Sequence, residues 1–133
     1  MNIISLAVAF FQFLLAFGLR VVTTHLISKA LVYGDNSIGI PVKIYLVEIV
    51  YHILVSITVA LMFYGFGIFS PLIGVFLAGV TGLLFGIWVL YRMIKFTANA
   101  YDTNFFEGGV IYITPLILAG LINAGIYFIS QAL

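Results

Sequence analysis

The chain contains 133 residues, of which 65% are hydrophobic and only 7% are charged, and its mean hydropathy is +1.31. Five basic and four acidic side chains cannot cover the surface that a soluble 14.6 kDa monomer exposes to water, whereas a surface that faces lipid needs no such cover. The composition therefore excludes a soluble globular domain and predicts an integral membrane protein whose first partner is the lipid bilayer.

The same inventory disfavours several classes of chemistry. The chain has no Cys, and its two His residues do not form an HExxH-like pair, so we expect neither a metal site nor a cofactor. Five Lys and Arg residues with a net charge of +1 are too few for a nucleic-acid partner. Because the sequence has no GxSxG motif, Gly-rich phosphate loop or acid pair suited to hydrolysis, we also predict that the protein is not an enzyme.

Four apolar blocks follow one another along the chain. The first covers about residues 3–19, with a helical pattern that can continue to Tyr33, and the others cover about residues 41–66, 70–91 and 108–133. Each block is long enough to cross a bilayer, which takes about 20 helical residues. We therefore predict an all-α polytopic fold in which four transmembrane helices form one domain over the whole chain.

Prolines mark the expected helix boundaries. Pro41 and Pro71 open the second and third blocks, where a missing N–H group is tolerated. Pro115 lies inside the fourth block, so either that helix is kinked or its first turns form a separate segment.

The connections between the blocks differ in charge. Residues 65–71 form a short uncharged turn, whereas the other two connections hold all five Lys and Arg residues. With four spans these two charged loops lie on one side of the membrane, and the positive-inside rule places them in the cytoplasm. We expect both termini and the short turn to lie on the outer side of the membrane. The membrane is expected to be the cell membrane of a bacterium or an archaeon.

The two halves of the chain share a pattern. In each half a helix that ends in basic residues leads to an Asp and an Asn, after which glycines open the next span; Asn36 and Asn104 are 68 residues apart. Repeat units of residues 1–66 and 67–133 would give two helical hairpins in the same orientation. Chance similarity between apolar sequences is the alternative.

The layout resembles a known family. The two-by-two arrangement of spans, Asn36 and Asn104 before the second and fourth spans, and residues 109–124 with the run Leu118-Ala119-Gly120-Leu121-Ile122-Asn123-Ala124 are similar to the YjfL-like small inner-membrane proteins of bacteria. The resemblance implies four spans in a chain of about this length and no settled activity. The middle spans do not resemble the family. The Glu and His pair of the second span is not part of its pattern.

That pair belongs to the most informative group of side chains. Tyr45, Glu48 and His52 have the spacing of one helix face, and Glu48 lies about 10 Å and His52 about 16 Å into the second helix, counted from Pro41. Glu and His groups at that depth can take up and release protons. The functional interpretation is a proton or ion pathway formed by Tyr45, Glu48, His52 and Asn123.

A structural role is the alternative for the same group. In that case Glu48 and His52 hold helices together through hydrogen bonds to Ser56, Thr58 or Asn123. Arg20 is expected to extend toward lipid headgroups, with neutralisation of Glu48 as a further alternative.

Small residues predict where helices pack. In the third span they recur every four residues, and the fourth span has a shorter echo; the residues are Gly74, Ala78, Gly82 and Gly86, and Gly120 and Ala124. Such a stripe lets another helix backbone approach closely, either within the monomer or, as we favour, in a second copy.

Two functions are compatible with these features. The first is a homo-oligomeric channel-like or transport subunit with the Glu and His site of the second span in a polar interior. The alternative is a structural or accessory subunit of a larger membrane assembly, in which the polar pair serves packing and other membrane subunits cover the apolar exterior.

Overall fold

The computed structural model describes residues 2–32 and 37–133. They form four helices, with no strand in these two ranges: α1 (Ile3–Leu31), α2 (Gly39–Gly67), α3 (Pro71–Ala100) and α4 (Phe105–Ala132). All four are long and apolar enough to cross a membrane. The prediction of an all-α fold with four such helices is confirmed.

Two helices are longer than hydropathy predicts. α3 continues to Ala100 instead of ending near Tyr91, and α4 begins at Phe105 instead of Gly108. The extension of α3 is amphipathic: Met93, Ile94 and Thr97 are buried, whereas the charged residues Arg92 and Lys95 are exposed. Hydropathy detects the apolar part of a span and misses the amphipathic turns beyond it.

Local signals set several helix ends. The side chain of Asn104 accepts a hydrogen bond from the backbone N–H of Glu107 at 2.8 Å and so caps the start of α4. At the end of α3, Asp102 adopts a left-handed backbone with φ of 53°. Pro115 lies within the continuous α4, so the alternative of a separate first segment is excluded.

The helices form a four-membered ring. Contacts join α1 to α2, α2 to α3, α3 to α4 and α4 to α1, so that α1 lies opposite α3 and α2 opposite α4. We call the half of the bundle that holds all five Lys and Arg residues the charged half. The other half, with the α2–α3 turn and the ends of α1 and α4 at Ile3 and Ala132, is the turn half.

Burial is concentrated in the charged half. The buried apolar side chains there come from all four helices and from the residues just beyond α1 and α3; they are Val21, Val32, Ile44, Tyr45, Val89, Met93, Ile94, Ala98, Tyr101, Ile111 and Tyr112. Among the described residues of the turn half, Gly74 and Ala78 are buried. Residues 3–15 and 120–133 are exposed throughout. The turn half is therefore open where the charged half is packed.

Glycines allow two close backbone approaches. A Cβ at Gly74 would lie 2.7 Å from the carbonyl oxygen of Phe63 and 2.9 Å from Cα of Gly67, so α2 and α3 touch beside their turn. A Cβ at Gly108 would lie 2.6 Å from Cβ of Ala98, so α3 and α4 touch beside theirs. Both approaches need a residue without a side chain.

Candidate functional site: a buried ion pair

An ion pair between α1 and α2 is the centre of the site. Arg20 Nη1 lies 2.6 Å from Glu48 Oε2, and Arg20 Nη2 lies 3.0 Å from Glu48 Oε1, so the guanidinium binds both carboxylate oxygens. The side chains are 16% and 5% exposed. Bidentate geometry of this kind gives strong, directional hydrogen bonds.

Two tyrosines and a threonine complete the network. From α4, the Tyr112 hydroxyl donates a hydrogen bond to Glu48 Oε1. The Arg20 guanidinium lies 4.1 Å from the centre of the Tyr45 ring, a cation–π contact, and the Tyr45 hydroxyl bonds Thr24 Oγ1 of α1 at 2.6 Å. The network therefore ties α1, α2 and α4 together.

The network lies well inside the membrane-spanning helices. At 1.5 Å per residue, Arg20 is about 16 Å from the end of α1 at Leu31, and Glu48 is about 14 Å from the start of α2 at Gly39. Charges at this depth are costly unless they are paired. The bidentate pair and the Tyr112 hydroxyl supply those partners.

A narrow cleft reaches the ion pair between α1 and α2. Its volume is about 200 Å³, and its lining residues are Phe13, Ala16, Phe17, Arg20, Tyr45, Glu48, Ile49 and His52. We call it the ion-pair cleft. Apolar side chains form one part of its lining, and the charged pair with Tyr45 and His52 forms the other.

His52 lies at the edge of this cleft. Its Nε2 is 3.7 Å from Glu48 Oε1, beyond hydrogen-bond distance, and its side chain is 66% exposed. A protonated His52 would compete with Arg20 for the carboxylate, whereas a neutral one leaves the pair as it is.

Packed side chains close the bundle on the side of the charged loops. Ser28, Thr97 and Tyr101 are buried there, and Thr97 Oγ1 donates a hydrogen bond to the Met93 carbonyl at 2.8 Å. Tyr101 lies just beyond α3, and burial raises the pKa of its hydroxyl. The ion-pair cleft therefore lies on the other side of the network from a packed layer.

The structure brings three of the four predicted pathway residues together. Tyr45, Glu48 and His52 share one cleft, as their spacing predicted, whereas Asn123 lines a different cleft in the turn half. Among the alternatives named from the sequence, Thr58 bonds the carbonyl of its own helix at Leu54, and Arg20 is the partner that neutralises Glu48.

The predicted packing residues lie in different surroundings. Gly74 and Ala78 are buried, and a Cβ at Gly82 would make an ordinary 3.6 Å contact with Val59. A Cβ at Gly86 or at Gly120 would meet no described atom within 4 Å, and Ala124 is exposed. Contact within the monomer thus follows the first half of the stripe in α3.

Sequence reasoning missed Thr24 and Tyr112. Arg20, Thr24 and Ser28 recur every four residues, so a polar stripe on one face of α1 was a usable signal. Tyr112 carried no such signal, because it lies 64 residues from Glu48 in a different hairpin.

In residues 2–32 and 37–133 no three His, Cys, Asp or Glu side chains are grouped in a way that could hold a metal ion. No protein-family model, curated protein or solved structure matches the chain. The resemblance to the YjfL-like proteins stays a prediction.

Proposed function

We propose that this integral membrane protein is a channel-like or transport subunit in which Glu48 is the exchangeable site. One observation carries the proposal: a bidentate Arg20–Glu48 pair lies at membrane depth and lines a cleft instead of being enclosed on all sides. Ionisable groups inside a span are costly to keep, and they mark ion or proton pathways more often than they serve packing.

The geometry suggests how such a site works. The Glu48 carboxylate is paired with Arg20 in the structure. If Glu48 binds a proton or another cation instead, its attraction for Arg20 is lost. Because Arg20 joins α1 to the network, loss of its partner loosens α1 from α2 and α4. Occupancy of one carboxylate is thereby coupled to the arrangement of three helices.

Assembly and orientation belong to the same proposal. A single ring of four helices with a 200 Å³ cleft does not enclose a pathway, so we propose that several copies assemble to form one. We propose further that the charged loops face the cytoplasm, since they carry all the Lys and Arg residues.

An accessory role is the second candidate, and one observation favours it. Arg20 and Tyr112 donate to both oxygens of Glu48, so the network can serve purely to fix three helices for a larger assembly. In that case the protein carries no flux of its own.

Reconstitution distinguishes the two functions. Purified protein in liposomes is tested for proton and monovalent-cation flux with a pH-sensitive dye and an imposed gradient. We expect flux above that of protein-free liposomes, and a loss of about tenfold or more in Glu48→Gln, which keeps shape and removes the charge. Glu107→Gln, at the start of α4 and outside the cleft, is the matched control and should keep its flux.

The accessory role predicts a different outcome. Wild-type protein that is folded and correctly inserted, yet gives no flux, contradicts the transport proposal. Equal flux in wild type and Glu48→Gln contradicts the role assigned to the carboxylate.

A further inference from the structure

A second, larger cleft lies between α1 and α4 in the turn half. Its volume is about 630 Å³, and we call it the α1–α4 cleft. Its lining combines apolar side chains such as Phe13, Leu19 and Ile126 with four residues that carry polar groups: the carboxamides of Gln12 and Asn123 and the hydroxyl groups of Tyr127 and Ser130. The proposed function makes no use of it.

The two carboxamides lie at the same depth. Gln12 is nine residues from Ile3 and Asn123 is nine residues from Ala132, which puts each about 14 Å from the same end of the bundle. A 29-residue helix is about as long as a bilayer with its headgroups is thick, so this depth falls within the hydrocarbon.

Neither carboxamide has a hydrogen-bond partner within the part of the chain that the structure describes. Each carries two donors and an acceptor, and leaving such groups unpaired in hydrocarbon is unfavourable. Both side chains are exposed in the described chain, so a molecule that enters the cleft and offers acceptors and donors can satisfy them.

The chemistry of the cleft narrows the class of ligand. No Asp, Glu, Lys or Arg lines it, so a charged group would find no counter-charge at this depth. Its volume is in the range of small-molecule sites, about 300–1,000 Å³, and most of its lining is apolar. These properties fit an uncharged molecule with an apolar body and a few carbonyl or hydroxyl groups.

A second copy of the chain fits the cleft less well. The groups of the second copy that lie at this depth and could bond the carboxamides are its Gln12 and Asn123. In that copy, too, they line a concave surface of the same shape. Two concave surfaces placed face to face keep their lining residues apart. A slender amphiphile enters such a surface without that restriction.

We propose that the α1–α4 cleft binds an uncharged lipid-like amphiphile of the monoacylglycerol type. Its carbonyl accepts a hydrogen bond from one carboxamide N–H, and its hydroxyl groups donate to the carboxamide oxygens of Gln12 and Asn123. Its hydrocarbon chain lies along Phe13, Leu19 and Ile126. The two clefts share Phe13 and Ala16, but neither Arg20 nor Glu48 lines the α1–α4 cleft, so the proposal does not depend on whether the protein carries flux.

Photolabelling tests the site in full-length protein in lipid nanodiscs. The probe is a monoacylglycerol with a diazirine in its chain, and labelled residues are located by mass spectrometry. We expect labels on the cleft-lining parts of α1 and α4 and competition by unlabelled monoacylglycerol. A diazirine fatty acid, which is anionic, should label these positions about fivefold less.

Substitutions identify the groups responsible. The double variant Gln12→Leu/Asn123→Leu should lose about fivefold or more of the labelling, whereas Gln131→Leu, a carboxamide on α4 outside the cleft, should keep it. Replacing unpaired amides by apolar groups removes a polar cost in lipid, so the double variant should fold; its thermal unfolding is measured alongside.

Three results would overturn the proposal. The first is labelling of the double variant equal to that of Gln131→Leu, or labels elsewhere only, which leaves the carboxamides facing water. The second is equal labelling by the anionic probe. The third is a wild type that takes no label and forms a larger oligomer than the double variant does, which makes a second copy the occupant.

Discussion

The charged half and the turn half of the bundle are parts of the same four apolar helices, yet only the charged half is packed. In the charged half, residues of all four helices are buried around Met93, Ile111 and the Arg20–Glu48 pair. In the turn half, α2 and α3 touch at Gly74, while residues 3–15 of α1 remain exposed.

The difference follows from the solvent. In water, apolar side chains such as those of residues 3–15 would gather in a core, but in lipid they lose little by facing the bilayer. What holds membrane helices together is close packing at small residues and pairing of polar groups. The charged half has the polar network and the Gly108 approach, whereas the turn half has one close approach, beside its turn.

The largest expected effect comes from breaking the ion pair on one side. Arg20→Leu leaves Glu48 buried without its charged partner and should lower the free energy of unfolding by about 3–5 kcal/mol. The measurement is reversible unfolding in mixed detergent micelles. Arg20→Leu combined with Glu48→Leu should recover most of the loss, and a double variant as unstable as the single one would argue against the pairing.

The next largest effect should come from truncating a buried side chain, because only the charged half is packed. Ile111, fully buried in α4, and Ile129, 62% exposed in the same helix, form a matched pair. Ile111→Ala should cost about 3 kcal/mol, and Ile129→Ala should change stability by less than about 0.5 kcal/mol. Similar costs for both variants, in the same unfolding assay, would mean that the turn half is packed in the native assembly.

Removing one hydroxyl tests the link between α4 and the ion pair. Tyr112→Phe takes away the hydrogen bond to Glu48 and should destabilise the protein by about 1.5–2 kcal/mol, because the acceptor is charged. Tyr127→Phe, exposed on the same helix, serves as control and should have no measurable effect on the unfolding midpoint.

The smallest effects concern glycine and should differ in sign. Gly108→Ala places a Cβ 2.6 Å from Ala98 and should destabilise by about 1 kcal/mol, after its gain in helix propensity is subtracted. Gly86→Ala meets no described atom within 4 Å and should stabilise by up to about 1 kcal/mol. Thermal unfolding in detergent measures both, and equal shifts in the same direction would contradict the close approach at Gly108.

Composition and periodicity predicted the parts of the structure that depend on single segments. Four apolar blocks gave four helices, and the spacing of Tyr45, Glu48 and His52 placed them on one face because a helix repeats every 3.6 residues. Neither observation needed information from another helix.

The partners of those residues depend on how the helices are arranged. That arrangement could not be predicted from the sequence. Arg20 lies 28 residues from Glu48 and Tyr112 lies 64 residues away, so their meeting is a property of the ring of helices. Asn123 has the same residue type that a pathway would use, but its position near the far end of α4 puts it in a different cleft. Small-residue spacing also could not distinguish Gly74, which lies against α2, from Gly86, where an added Cβ would meet no described atom of another helix within 4 Å.

The most direct test asks whether the charge of Glu48 holds α1 in place. The chain has no Cys, so Lys29→Cys and Lys43→Cys introduce the only two spin-label sites, on exposed positions of α1 and α2. Pulsed electron-spin resonance in nanodiscs should give one narrow distance distribution for this protein and for the same protein with Glu107→Gln. Adding Glu48→Gln should broaden and lengthen the distribution; an unchanged distribution would show that the carboxylate does not control the position of α1.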